Sequence, residues 1–141
     1  MAAVASIALD EAINEVVAAN QDLPGVQNGL SVYLLGNKLY FGRQSTPGGP
    51  ELYIYDTTNP LNGLPLLGSK DINTGVEGIR VTGKFAFLAT PKVNKEFQIW
   101  NITNAINPTL VETYTFKNLI PSGIDYDSDF VNLAGQTLTT F

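Results

Sequence analysis

The sequence predicts a mainly β protein: about two and a half four-stranded antiparallel, propeller-like blades, preceded by one N-terminal α-helix. Three observations carry this reading. The stretch Glu51-Leu52-Tyr53-Ile54-Tyr55-Asp56-Thr57-Thr58-Asn59-Pro60 returns 45 residues later as Glu96-Phe97-Gln98-Ile99-Trp100-Asn101-Ile102-Thr103-Asn104-Ala105. Within each repeat, short apolar runs are separated by Gly-, Pro- and Asn-rich turn signals, as short strands require. Gly123 to Ala134 then aligns without a gap on Gly78 to Ala89, so a third unit begins. Four short strands in a repeat of about 45 residues is the anatomy of a propeller blade. The repeat region runs over 29–141, as unit 1 (29–74), unit 2 (75–119) and a partial unit 3 (120–141).

Residues 1–25 read as the helix and its linker. Ala3 to Asn20 contains no Gly or Pro and is rich in Ala, a strong helix former. Val4, Ile7, Ala8, Ala12, Val16 and Val17 fall near a three-to-four spacing and would form one apolar face. Asp10, Glu11 and Glu15 would sit on the others, as a solvated charged face. Asp22-Leu23-Pro24-Gly25 ends the helix, since Pro cannot continue it and Gly favours a turn. The helix is expected to pack against the domain or a neighbour.

In unit 1 the predicted strands are Leu30 to Leu35, Lys38 to Gly42, Leu52 to Asp56 and Leu66 to Ser69. The first two are joined by Gly36-Asn37, a tight-hairpin dipeptide. In unit 2 they are Glu77 to Val81, Phe85 to Ala89, Phe97 to Trp100 and Leu110 to Phe116, with Gly83-Lys84 at the first turn.

Leu52-Tyr53-Ile54-Tyr55-Asp56 and Phe97-Gln98-Ile99-Trp100-Asn101 resemble the Leu-Val-Ile-Val-Asp element of the bacterial and archaeal LVIVD repeat family. Thr58-Asn59-Pro60 and Asn107-Pro108 resemble its Ser-Asn-Pro loop. Gly83-Lys84-Phe85-Ala86-Phe87-Leu88-Ala89 is similar to its Gly-Asn-Tyr-Ala-Tyr-Val-Ala strand pair. The resemblance covers 29–134. It implies a propeller in a secreted or cell-surface protein and brings no catalytic residue. Two departures matter: Asn101 replaces the final Asp, and about two and a half units stand where a closed propeller takes at least four blades. The open faces need closing, because each blade buries both faces on its neighbours. A longer parent chain, association of copies into one ring, or capping by the N-terminal helix would each do so.

Composition narrows the chemistry. The 141 residues carry a net charge of −5 and only 15% charged residues. No basic cluster offsets the negative charge, which disfavours nucleic acid and anionic membrane surfaces as partners. Cys and His are both absent. That removes disulfides, Ser-His-Asp and Cys-His catalysis and His-ligated zinc. No apolar run is long enough to span a bilayer. Low charge and uncharged polar surface fit an extracellular or cell-surface location.

Asp125-x-Asp127-x-Asp129 is the sharpest local pattern. Alternating carboxylates open many calcium loops, because a hard cation needs converging oxygen ligands. Phe130 and Gln136 stand where an EF-hand needs Gly and Glu. The competing reading is a strand end whose acids pair with the preceding unit, Arg80 with Asp125 and Lys84 with Asp129. No other cofactor is expected. Tyr55 and Trp100 share one repeat position and are candidates for a ligand platform or for inter-blade core. Asp56 and Asn101 are expected to accept hydrogen bonds in the turns that follow them.

These features point to a non-catalytic module that binds a protein or glycan, or contributes to an assembly, as a homo-oligomer or part of a longer chain. Two alternatives stand beside it. A helix followed by antiparallel strands also resembles the soluble part of a pilin-like filament subunit. A carboxylate-dependent carbohydrate-active enzyme would need two suitably spaced acids, and 125–129 is the densest acidic cluster.

Overall fold

The structure, a computed structural model, describes residues 3–9 and 15–137. Among these residues the regular elements are strands and a single 3₁₀ turn, Pro60–Asn62. The strands are β1 (Ala3–Leu9), β2 (Glu15–Asp22), β3 (Gly29–Leu35), β4 (Lys38–Arg43), β5 (Leu52–Asp56), β6 (Leu66–Lys70), β7 (Gly78–Thr82), β8 (Phe85–Ala89), β9 (Phe97–Asn101), β10 (Thr109–Tyr114), β11 (Leu119–Tyr126) and β12 (Val131–Thr137). They form two four-stranded sheets, β3-β4-β5-β6 and β7-β8-β9-β10, and two hairpins, β1-β2 and β11-β12. Every pairing is antiparallel and joins neighbours in sequence, and no barrel closes.

The sequence dictates this local order. Gly36 and Gly83 open the two-residue turns of both sheets at φ 59° and 53°, where a hairpin of this length takes Gly. The two sheets share their pairing in detail. Ser31 faces Gly42 in the first and Gly78 faces Ala89 in the second. Both carry an irregularity between the third and fourth strands, leaving Leu67 and Val111 as extra residues. The hairpin β11-β12 continues the series, with Gly123 facing Ala134 and Ile124 facing Leu133, as Gly78 faces Ala89 and Ile79 faces Leu88.

The expected N-terminal helix does not form. Residues 3–9 and 15–22 pair as a hairpin; Asp10 and Glu11 lie outside the described residues. Two physical reasons decide it. Val4, Ile7, Val16 and Val17 are β-branched, stiff in a helix and favoured in strands. The adjoining sheet also presents a broad apolar face of Leu39, Phe41, Tyr53 and Tyr55, and Val4 is buried on that face. Tertiary packing overrides the helix propensity of the alanines.

Three apolar layers hold the stack. Tyr40, Leu52 and Ile54 meet Ile79, Val81, Ala86, Leu88 and Trp100 between the two large sheets. Val4, Leu23 and Leu64 cover the other face of the first sheet. Ile124, with Val131 and Leu133, packs on Ala89, Phe97, Phe87 and Ile99 of the second. Leu52, Ile54 and Leu88 are wholly buried, and shortening any one to Ala removes about 2–5 kcal/mol.

Candidate functional site

Two buried glutamates occupy the same place in the two large sheets. Glu51, at 0% exposure, accepts the N–H of Thr46 on Oε1 at 3.1 Å and of Ile72 on Oε2 at 2.8 Å. Glu96, at 4%, accepts those of Asn94 at 3.0 Å and Phe116 at 3.2 Å. Each carboxylate ties the loop before the third strand to the segment leaving the fourth. Burial pushes the Glu51 carboxyl up. Sequence reasoning passed over these residues, although they open both copies of the repeated string. A charge recurring at one repeat position in a weakly charged chain was the available signal.

Asp56 and Asn101 act as expected. Asp56 Oδ1 accepts the Thr58 N–H at 2.8 Å, and Asn101 Oδ1 accepts that of Thr103 at 2.9 Å. The Thr58 hydroxyl also donates to Asp56, and these bonds hold the Asp56 carboxyl below the usual range.

The three aspartates do not converge. Asp125 Oδ1 lies 3.0 Å from Arg80 Nε, between β11 and β7, and this pairing holds its carboxyl low. Asp127 Oδ1 accepts the N–H groups of Asp129 and Phe130, both at 3.0 Å, closing the turn. Among the described residues no group of three or more acidic side chains is arranged to hold a cation. The Lys84–Asp129 pair does not form among them either; the Lys84 ammonium lies 5.4 Å from the Phe85 ring centre.

Tyr55 and Trp100 are both buried in the layers between sheets. Tyr55 stacks on Tyr53 at 6.3 Å and packs among the residues beneath the N-terminal hairpin. Trp100 lies between the large sheets and donates its ring N–H to Gln98 at 2.9 Å. Neither offers a ring face to a sugar. Buried aromatics at this repeat position are packing, each against the preceding layer.

The accessible features lie elsewhere. A groove of about 650 Å³ runs along Gly29, Leu30, Ser31, Val32 and Phe41 beside Ala3 and Val4. A smaller groove of about 260 Å³ lies on Gly123, Asp125, Asn132 and Ala134. A polar groove of about 480 Å³ is lined by Gln27, Gln44, Ser45, Thr74 and Glu77. It holds the buried Gln27 Oε1, which has no partner, and a Glu77 carboxyl pushed up by burial. None of the three grooves is lined by two acidic residues.

The first groove borders an uncovered apolar face. Val32 and Leu34 of β3 are 56% and 58% exposed. They stand opposite Phe41 and Leu39 and so share their side of the sheet. The residues at the same register in β7, Ile79 and Val81, are 1% and 3% exposed, because the first sheet lies on them.

No protein-family model matches this chain, and no curated protein is similar to it.

Proposed function

We propose that this chain is a non-catalytic module of propeller-like blades, from a secreted or cell-surface protein, whose work is assembly through the β3 face. One observation carries the reading: Val32 and Leu34 are exposed where the same positions one unit later are buried under a neighbouring sheet. An apolar strip of that kind is an interaction surface. The polar side chains that would serve chemistry are engaged in the scaffold instead. Glu51 and Glu96 bind backbone N–H groups, Asp125 pairs with Arg80, and Asp127 closes its turn. A carboxylate-dependent hydrolase needs two facing acids, and none of the grooves supplies them. The pilin-like alternative rested on a helix over 3–20 and loses that footing.

Sedimentation of the purified chain over a range of concentrations tests the assembly reading. Wild type is expected to exceed the 15.2 kDa of one chain. V32E/L34E is expected to sediment as a monomer with an unchanged β-sheet spectrum, since both positions are exposed in the single chain. A wild type that stays at one chain mass throughout overturns assembly by this face.

A second reading has its own observation. The groove of Gln27, Gln44, Ser45, Thr74 and Glu77 presents amide and hydroxyl groups and an unpartnered buried oxygen, the donors and acceptors a glycan requires. A glycan array gives the outcome: binding lost in Q27A supports it, and an array without signal removes it.

A further inference from the structure

Three loops meet around the polar groove: 23–28 before β3, 44–51 between β4 and β5, and 71–77 before β7. Two buried charged side chains pin them together. Arg43, 3% exposed, donates from Nε to the Pro50 carbonyl and from Nη1 to that of Pro24, both at 2.9 Å. Glu51 accepts the N–H groups of Thr46 and Ile72. Asn28 and Gln44 add a reciprocal pair. The Asn28 N–H donates to Gln44 Oε1 at 2.9 Å, and the Gln44 N–H to the Asn28 carbonyl at 3.0 Å. The groove of about 480 Å³ between these loops is therefore shaped by the scaffold, and it has the size of a small-ligand site.

Glu77 stands apart from these scaffold groups. Ser31 faces Gly42, Gly78 faces Ala89 and Gly123 faces Ala134. The residues just before the first of each pair are Leu30, Glu77 and Ser122. This carboxylate therefore belongs to one sheet alone, unlike Glu51 and Glu96. Burial pushes the Glu77 carboxyl up, with no hydrogen bond and no neighbouring cation opposing the shift. A partly buried charge without a counter-charge costs stability, and among the described residues no contact offsets that cost. Around it lie Gln27, Gln44, Ser45 and Thr74. Gln44 commits its Oε1 to Asn28, which leaves its NH₂ to donate. Gln27 Oε1 is buried without a partner. Gly75 keeps space beside the carboxylate: a Cβ there would stand 3.4 Å from the Ser45 nitrogen and 3.5 Å from Glu77 Oε1.

We infer that this groove holds an amino sugar with a free, positively charged amine, Glu77 accepting from the ammonium and the surrounding amides and hydroxyls bonding the ring hydroxyls. The lone carboxylate selects a cation, in a chain of net charge −5, because a hydrogen bond between two charged groups is a strong one. The lining selects the body that carries the charge. A lysine side chain brings its ammonium on a long aliphatic stem, which is served by apolar walls. Here the neighbours of Glu77 are hydroxyl and amide groups, which fit a polyhydroxylated ring. An N-acetylated sugar lacks the charge and leaves the carboxylate unpaired. This inference rests on the second reading of the previous section, a glycan in this groove, and adds the class of glycan.

Calorimetric titration with glucosamine oligomers and with their N-acetylated counterparts is the test. Wild type is expected to bind the free-amine oligomers more tightly by about tenfold, the worth of one charge-assisted hydrogen bond. E77Q keeps the shape of the side chain and is expected to lose that preference. Because its carboxylate has no partner in the fold, E77Q is also expected to melt no lower than wild type. A lower melting temperature would assign Glu77 to the scaffold and overturn the inference. Equal affinity for the two oligomers, or a preference that survives in E77Q, overturns it and leaves the glycan reading to the array and Q27A. Absence of binding to both oligomers overturns it as well, while a neutral glycan found on the array would keep the broader reading. A short oligolysine peptide that binds as tightly as the free-amine oligomers would show that the groove takes any ammonium, which overturns the sugar assignment.

Discussion

Glu51 shows how one side chain can be both buried and ionisable without a catalytic role. Its two oxygens accept backbone N–H groups from opposite ends of the first sheet. E51Q keeps the shape but turns an amide NH₂ toward one of those donors, leaving a buried N–H unpaired. The expected loss is about 1–3 kcal/mol, read from the urea midpoint at neutral pH. The pH dependence has a definite sign. Burial, with repulsion from Asp71, raises the folded carboxyl above its ordinary 4.5, while the two N–H groups pull it back. The native state therefore holds the proton more tightly, so this contribution is full below 4.5 and is lost as pH rises through the folded value. Asp56 and Asp125, whose carboxyls are lowered, run the other way: their contribution is present above 3.8 and lost on acidification. The wild-type-minus-E51Q difference isolates the first effect and is expected to shrink with rising pH; a flat difference would show that Glu51 does not titrate abnormally. Tyr55 gives an alkaline counterpart. Burial, then the nearby Tyr53, pushes its phenol up to about 12, with Arg43 opposing. Its folded form is favoured while protonated, so that contribution disappears as pH climbs from 10 through about 12. The Tyr55 hydroxyl has no hydrogen-bond partner. Y55F is therefore expected to melt no lower than wild type and to remove the latest phenolate step in an ultraviolet titration. A lower melting temperature would mean that the hydroxyl is bonded after all.

At the scale of elements, the strands of the two large sheets were legible because turn chemistry and spacing agree. Gly36-Asn37 and Gly83-Lys84 fix two hairpins, and the 45-residue spacing places β5 and β9 at the expected residues. The β11-β12 pairing was legible for a related reason, since 123–134 aligns on the β7-β8 residues 78–89. The N-terminal hairpin was not, because alanine and valine at mixed spacing suit either periodicity, and only the apolar face of the first sheet decides between them. The candidate site was legible only in part. The Arg80–Asp125 pair followed from the period, since both sit at one repeat position. The uncovered Val32–Leu34 face did not, because its meaning lies in what fails to cover it. Contacts between elements also set limits that composition does not show. An Ala Cβ at position 68 would stand 1.9 Å from the Ala105 carbonyl oxygen, so β6 runs against the backbone of the second sheet's loop. Only Gly permits that approach. G68A is expected to cost about 1–3 kcal/mol or more, with a lower melting temperature; an unchanged one would mean the two layers can part without penalty.

On the scale of the whole molecule, the buried clusters of the described residues join successive layers: the N-terminal hairpin to the first sheet, the first to the second, the second to β11-β12. Stability in such a stack is close to a sum of layer and interface terms, so it is distributed unevenly. β4, β5, β8 and β9 are interior strands, hydrogen-bonded on both edges and mostly buried. β10 is an edge strand whose residues are nearly all exposed, among them Leu110, Val111 and Tyr114. Local opening draws on the parts with least burial. Hydrogen–deuterium exchange is therefore expected to be slowest in the four interior strands and fastest, among the strands of the large sheets, in the unpaired-side amides of β10. The order has a physical cause that mutation can move. L88A removes a wholly buried side chain from the layer shared by both sheets. It should accelerate exchange in β4 and β5 as well as in β8 and β9, because both sides lose the same contact. Faster exchange confined to the second sheet would show that the layers open independently, and that the stack is coupled more weakly than its packing implies.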